Sequence, residues 1–139
     1  DIGMADSRAL EVTVAAAQAC RMIGMPECSV HLTHAVVYLS LAPRSNALYM
    51  AYEKAKRDAL NTLSEPVPLQ IRNAPTKLMA DLGYHKGYKY AHDYKNNFVQ
   101  QQFLPDELQQ ARLWHPQSNP PEVRLKEQMQ MLWGDRFNE

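Results

Sequence analysis

The residues with the most evident chemistry lie between positions 72 and 95, in the stretch RNAPTKLMADLGYHKGYKYAHDYK. Aromatic rings and cations alternate there at short spacing. Phenol rings can stack on bases or fill protein pockets, and lysine and arginine can meet phosphates. The tyrosines are Tyr84, Tyr88, Tyr90 and Tyr94, and the cations that could meet phosphates are Arg72, Lys77, Lys86 and Lys89.

Three interpretations of this stretch remain open from the residues alone. In the first, the rings stack on unpaired bases while the four cations contact the backbone of a single strand. In the second, the tyrosines are anchors of a protein–protein interface, where tyrosine is enriched. In the third, the rings attach an irregular segment to its own core. Tyr84 and Tyr88 each follow a glycine closely, which favours fixed anchors, and Asp81 and Asp93 reduce the local positive charge.

The sequence matches none of the common catalytic motifs that we compared with it. GYHKGYKY has three residues between its glycines, and no lysine follows the second glycine directly, so it is not a phosphate-binding P-loop. Neither G-x-G-x-x-G nor G-x-S-x-G occurs. His31 and His34 could share a helix face, but further ligands at a regular spacing do not accompany them. His92 and Asp93 are adjacent, which is more typical of local hydrogen bonding in a loop than of a catalytic triad.

Helical patterns must position these side chains. Residues that commonly cap helix N-termini, such as Ser7, Ser45 and Thr76, precede segments with helical periodicity. Gly24 and Gly83 follow two of these segments and are expected to end the helices. The first helix is apolar around most of its circumference, so we expect it to be buried among the other helices, with the first three packed as neighbours. The predicted helices are 8–23, 29–42, 46–63, 76–82 and 121–135.

A long stretch from Tyr84 to Pro121 shows almost no periodicity, apart from one expected turn of helix after Pro105. In the helix that follows it, Glu122 and Lys126 lie four residues apart and are expected to pair on the wet side. The chain as a whole therefore predicts an all-α, mostly helical fold with long irregular loops.

Composition excludes several function classes. The 139 residues carry 15 Lys and Arg against 15 Asp and Glu, so any attraction to DNA must come from a local patch. Apolar runs are too short to span a bilayer, and no membrane association is expected. Cys20 and Cys28 are expected to be free thiols, with a disulfide between them as the alternative. The chain begins with Asp1, which suggests a segment of a longer protein.

Several motifs together resemble one known family. LAPRSNALYMAYEKA, VPLQIRNAPTKLMADLGYHKGYKYAHDY and FLPDEL resemble the C-terminal region of replication-associated recombination protein A. This family of AAA+ ATPases is also called MgsA and is related to the Werner helicase-interacting protein. The opening DIGMADSRALEVTVAAAQACRMIGMPE is similar to the family pattern EDIGLADPRAL followed later by IGMPE, with Ser7 where proline is common. The resemblance covers essentially the whole chain.

The resemblance implies an architecture and a division of labour. It implies a clamp-loader-like helical collar over residues 1–63 and a family-specific C-terminal domain over residues 64–139. It places the Walker motifs, ATP and magnesium in an ATPase domain before Asp1, so this segment would hold no cofactor and no catalytic residue.

The resemblance also implies partners and a role. Family members form homotetramers through this region, act at stalled replication forks and work with single-strand-binding protein, which implies a cytoplasmic, nucleoid-associated location. The expected role is a non-catalytic oligomerisation and interaction segment, with Tyr84, Tyr88, Tyr90 and Tyr94 at an interface. The alternative is a contact module for single-stranded DNA or for single-strand-binding protein.

Overall fold

The computed structural model describes residues 1–137 and contains helices and turns but no strand in that range, which confirms the predicted all-α class. Within this range no helix is both long enough and apolar enough to cross a membrane. Short 3₁₀ turns occur between the α-helices, most of them in the segment between α4 and α5. The α-helices are α1 (Arg8–Ile23), α2 (Ser29–Leu41), α3 (Ala47–Asn61), α4 (Lys77–Asp81) and α5 (Pro120–Trp133).

The helix ends follow local capping chemistry. Gly24 ends α1 with φ 77° and donates its backbone N–H to Cys20 O at 2.9 Å. The Thr76 side chain accepts a hydrogen bond from Met79 N at 3.3 Å and so begins α4, as expected. Each predicted helix is therefore present within one or two residues of its expected ends.

The described chain forms two compact units, Asp1–Glu53 with Trp114–Glu127 and Lys54–Leu113 with Gln128–Glu139. Two of the three boundaries fall inside α3 and α5, and the third lies between Leu113 and Trp114, before α5. The collar at 1–63 and the C-terminal domain at 64–139 therefore stay a prediction.

In the first unit, α1 and α2 form the extensive helix–helix contact of the described residues. The expectation that α3 joins them as an equal third neighbour is wrong, and so is the expected burial of α1, in which Ala9 alone is buried. The opening segment has a closer connection with the start of α3. Ser45 N donates to Asp1 O at 2.8 Å, and a Cβ on Gly3 would lie 3.3 Å from Ser45 O.

The start of α5, also in the first unit, is built around a buried carboxylate. Asn119 Oδ1 accepts a hydrogen bond from Glu122 N at 3.1 Å, and Glu122 Oε2 accepts one from Gln117 N. Glu122 is 0% exposed. The predicted surface pair of Glu122 with Lys126 is therefore wrong, because the carboxylate closes the turn before the helix instead of facing solvent.

In the second unit, glutamine side chains hold the irregular segment together. Gln101 accepts from Lys89 N at 3.3 Å and donates to Lys89 O at 3.1 Å, which imitates one rung of a β-ladder. Gln70 donates to Gln102 O at 3.2 Å, and Gln100 donates to Leu132 O at 2.9 Å. These amides satisfy backbone groups that have no helix or sheet to pair with.

Candidate interaction surface

Tyr84 and Arg72 face each other within the second unit. The Arg72 guanidinium lies 5.1 Å from the centre of the Tyr84 ring and donates to the Tyr84 hydroxyl at 3.2 Å. Arg72 Nε also donates to Val67 O. Both side chains are partly buried. This pair therefore joins the connector before α4 to the turn after it, and it is the fixed anchor that the sequence favoured at Tyr84.

The next turn presents a stacked pair of rings. His85 and Tyr88 have ring centres 4.7 Å apart and planes 25° from parallel. Gly83 has φ 85° and His85 has φ 64°, so the chain reverses tightly here, and His85 N donates to Leu69 O at 2.9 Å. Tyr88 is 39% exposed, which leaves part of this pair open to a partner.

Tyr90 and Tyr94 extend the exposed aromatic surface. Tyr90 is 54% exposed, and its ring centre lies 4.9 Å from that of His92. Tyr94 is 43% exposed. Three of the four predicted interface tyrosines are therefore accessible, and one, Tyr84, is used inside the unit.

The four residues predicted to contact DNA also differ in how exposed their side chains are. Lys77, Lys86 and Lys89 are exposed, whereas Arg72 is partly buried against Tyr84. The backbone of Lys89 is held by Gln101, but its ammonium group is free to reach outward. Whether these cations contact DNA stays a prediction.

A larger candidate surface, which the sequence interpretation missed, consists of exposed apolar side chains in the first unit. Val30, Val37 and Leu41 lie on one face of α2, at i, i+7 and i+11, and Leu41 is 80% exposed. The same helix carries exposed Val36 on another face, so its apolar side chains are not confined to one stripe. The remaining strongly exposed apolar side chains of this unit are on α1, its following turn and α3: Leu10, Met22, Ile23, Met25, Tyr49, Met50 and Tyr52.

The interior is correspondingly poor in large side chains. Among the described residues, the buried apolar ones are four alanines and Cys28. The surface area is 10357 Å². If the mass of this chain were divided equally between two separate compact proteins, their combined accessible surface would be only about 8,900 Å².

Comparison with known proteins identifies the family of this chain. The model of the family described as "MgsA AAA+ ATPase C terminal" matches residues 1–133. The chain belongs to this family. The family that the motifs resembled is thereby confirmed.

Individual relatives show how much of a longer protein this chain represents. Replication-associated recombination protein A of Haemophilus influenzae and that of Escherichia coli K12 are each 38% identical over 133 residues, which are 95% of this chain and 30% of each relative. ATPase WRNIP1 of Dictyostelium discoideum is 36% identical over 131 residues, 94% of this chain and 15% of that relative. The chain therefore spans less than a third of the relatives that it matches.

Proposed function

We propose that this chain is the non-catalytic assembly segment of a DNA-dependent AAA+ ATPase that acts in replication-fork maintenance, recombination and DNA repair. Membership of the MgsA C-terminal family supports the type of ATPase. The names of the bacterial relatives support the connection with replication and recombination. In this proposal ATP and magnesium bind to a domain outside these 139 residues, and the chain joins copies of the protein into a homotetramer.

The observation that carries the assembly role is the exposed apolar surface of the first unit. Burial of apolar area stabilises an association by about 25 cal/mol per Å² before the costs of ordering are subtracted. Large exposed apolar patches on soluble proteins commonly mark interaction sites. Copies of the chain that cover the α2 face, made of Val30, Val37 and Leu41, would remove part of this exposed surface from water.

Light scattering across a dilution series measures this directly. We expect the chain to form a tetramer that dissociates only on strong dilution. The double variant Val30→Lys/Val37→Lys should shift the mass toward monomer, because two buried ammonium groups without partners oppose association. The matched control is Thr33→Lys/Ser40→Lys, which adds the same charge at the same spacing to exposed polar positions of α2 and should keep the mass of the parent.

A monomer at every concentration would refute self-assembly by this chain. Equal effects of the two double variants would show that charge, rather than loss of the apolar face, causes dissociation. Tyr88→Ala/Tyr90→Ala is examined in the same way. A lower mass for that variant assigns the exposed tyrosines to the interface, and an unchanged mass excludes them from it.

A second candidate function, contact with single-stranded DNA, has one specific observation in its favour. Lys86 and Lys89 are exposed and adjoin His85 and Tyr88 in sequence, whose rings stack on each other, and bases stack on such rings. Lys86→Gln/Lys89→Gln should reduce the salt dependence of oligonucleotide binding by about 0.7 log units per lost phosphate contact. Arg72→Gln should leave that slope unchanged, since Arg72 is occupied by Tyr84. Absence of binding at low salt would exclude this function.

A further inference from the structure

Three sulfur atoms gather where the turn after α1 leads into α2. The Cys28 thiol donates to Met25 Sδ at 3.2 Å, and the Cys20 thiol lies 3.8 Å from Cys28 O. Both cysteines are free. Two thiols and a thioether thus share one small region of the first unit.

The surroundings suit a small bound ion better than a packing role alone. Cys28 is 3% exposed, whereas Met25 is 70% exposed, so the group is reached from solvent on one side and closed on the other. Cys28 immediately precedes α2, so a group bound there would lie at the junction of the turn and the helix. The Met25 thioether is thus accessible to a small ion from solvent.

The kinds of donor atom select the kind of ion. Zinc requires about four nitrogen, oxygen or thiolate ligands. Nowhere in residues 1–137 do three His, Cys, Asp or Glu side chains gather in a way that could hold a metal. Thioether sulfur, in contrast, is a soft ligand that together with thiolates selects copper(I). Two cysteines and one methionine complete a low-coordinate sulfur site, which this ion accepts.

We propose that Cys20, Met25 and Cys28 form a three-sulfur site for a soft monovalent cation, copper(I) being the example of that class. On binding, the cation replaces the thiol protons, which pass to solvent, and no electron is transferred. The bound ion would tie the end of α1 to the start of α2, next to the apolar α2 face.

The test is a titration of the reduced 139-residue chain with copper(I) against a chromophoric copper(I) chelator, without oxygen. We expect one equivalent to bind. Loss of a residue that merely supports a metal ligand weakens metal binding by roughly tenfold or more. Cys20→Ser and Cys28→Ser each remove a ligand, so each should weaken copper(I) binding by well over tenfold. Met25→Leu should weaken it by about tenfold or more. The matched control is Met22→Leu, another exposed methionine near the same turn, which should bind as the parent does.

Several results would overturn the site. If the parent bound copper(I) no more tightly than the double variant Cys20→Ser/Cys28→Ser, the sulfur atoms would not form a joint site. Equal affinities of Met25→Leu and the parent would reduce the site to two thiols. A loss with Met22→Leu as large as with Met25→Leu would show that the wrong thioether was assigned. Circular dichroism checks the fold of each variant, and if a cysteine variant unfolds, the two exposed methionine variants decide the question.

Discussion

Single polar side chains make many of the long-range connections in this protein. The Tyr38 hydroxyl donates to Asp6 Oδ2 at 2.7 Å and so joins α2 to the segment before α1. Gln101 makes two hydrogen bonds to the backbone of Lys89, and the Arg72–Tyr84 pair spans a turn. Because the buried apolar residues are small, such bonds define positions that a larger core would otherwise determine.

The Tyr38 bond predicts a pH dependence of stability. The hydrogen bond to Asp6, then burial, raises the pKa of Tyr38 above its ordinary value of 10.0. A raised pKa means that the folded state holds the phenol proton more tightly than the unfolded state does. The resulting stabilisation is therefore complete below pH 10.0 and is lost as the pH rises through the raised pKa.

Tyr38→Phe tests this dependence by urea unfolding. The variant should have a lower free energy of unfolding than the parent at neutral pH, and the difference should shrink as tyrosine ionises at alkaline pH. Tyr49→Phe is the control, since Tyr49 is exposed on α3. Equal stability of the two variants at neutral pH, or a difference that does not change with pH, would contradict the role of the bond.

At the level of the helices, capping explains where the elements begin and end. Asn119, followed by two prolines, starts α5, and Glu122 bonds back to Gln117 N. Proline suits the first turn of a helix because its missing N–H would have no intrahelical partner there. The N-P-P-E sequence therefore specifies both the start of the helix and the direction in which the chain enters it.

Asn119→Ala tests this cap. The substitution should lower the free energy of unfolding by about 1 kcal/mol, the usual cost of removing an N-cap side chain. Chemical unfolding monitored by circular dichroism gives the value. Ser118→Ala changes the neighbouring exposed residue and should remain within about 0.5 kcal/mol of the parent. If Asn119→Ala were as stable as Ser118→Ala, Asn119 would not act as a stabilising N-cap.

For the protein as a whole, the balance of buried and exposed area is decisive. Among the described residues, the largest fully buried side chain is a carboxylate, Glu122, while valine, leucine, methionine and tyrosine side chains along α2 and α3 are exposed. In the proposed assembly, further copies would add apolar burial to the small interior of one copy, so we expect stability and assembly to be coupled.

Much of the secondary structure could be predicted because its causes are local. Thr76 and Gly83 bound α4 through hydrogen bonds within a few residues, and Gly24 ends α1 in the same way. The site was predictable in part. Tyr84 lies next to a tight turn, which favoured an anchor, but nothing near it in sequence indicates that Arg72, twelve residues earlier, is its partner.

The order of residues alone is enough to derive the helices and their ends, because these depend on neighbours in the chain. It is also enough to derive the family, which depends on a long motif, and the concentration of tyrosines at 84–94. Burial cannot be derived in this way. The apolar pattern of α1 predicted a buried helix, and the four-residue spacing of Glu122 and Lys126 predicted a surface pair, yet α1 is largely exposed and Glu122 is enclosed. Periodicity shows which side chains share a face, but which face meets protein or water depends on segments distant in sequence and, in this proposal, on other copies of the chain.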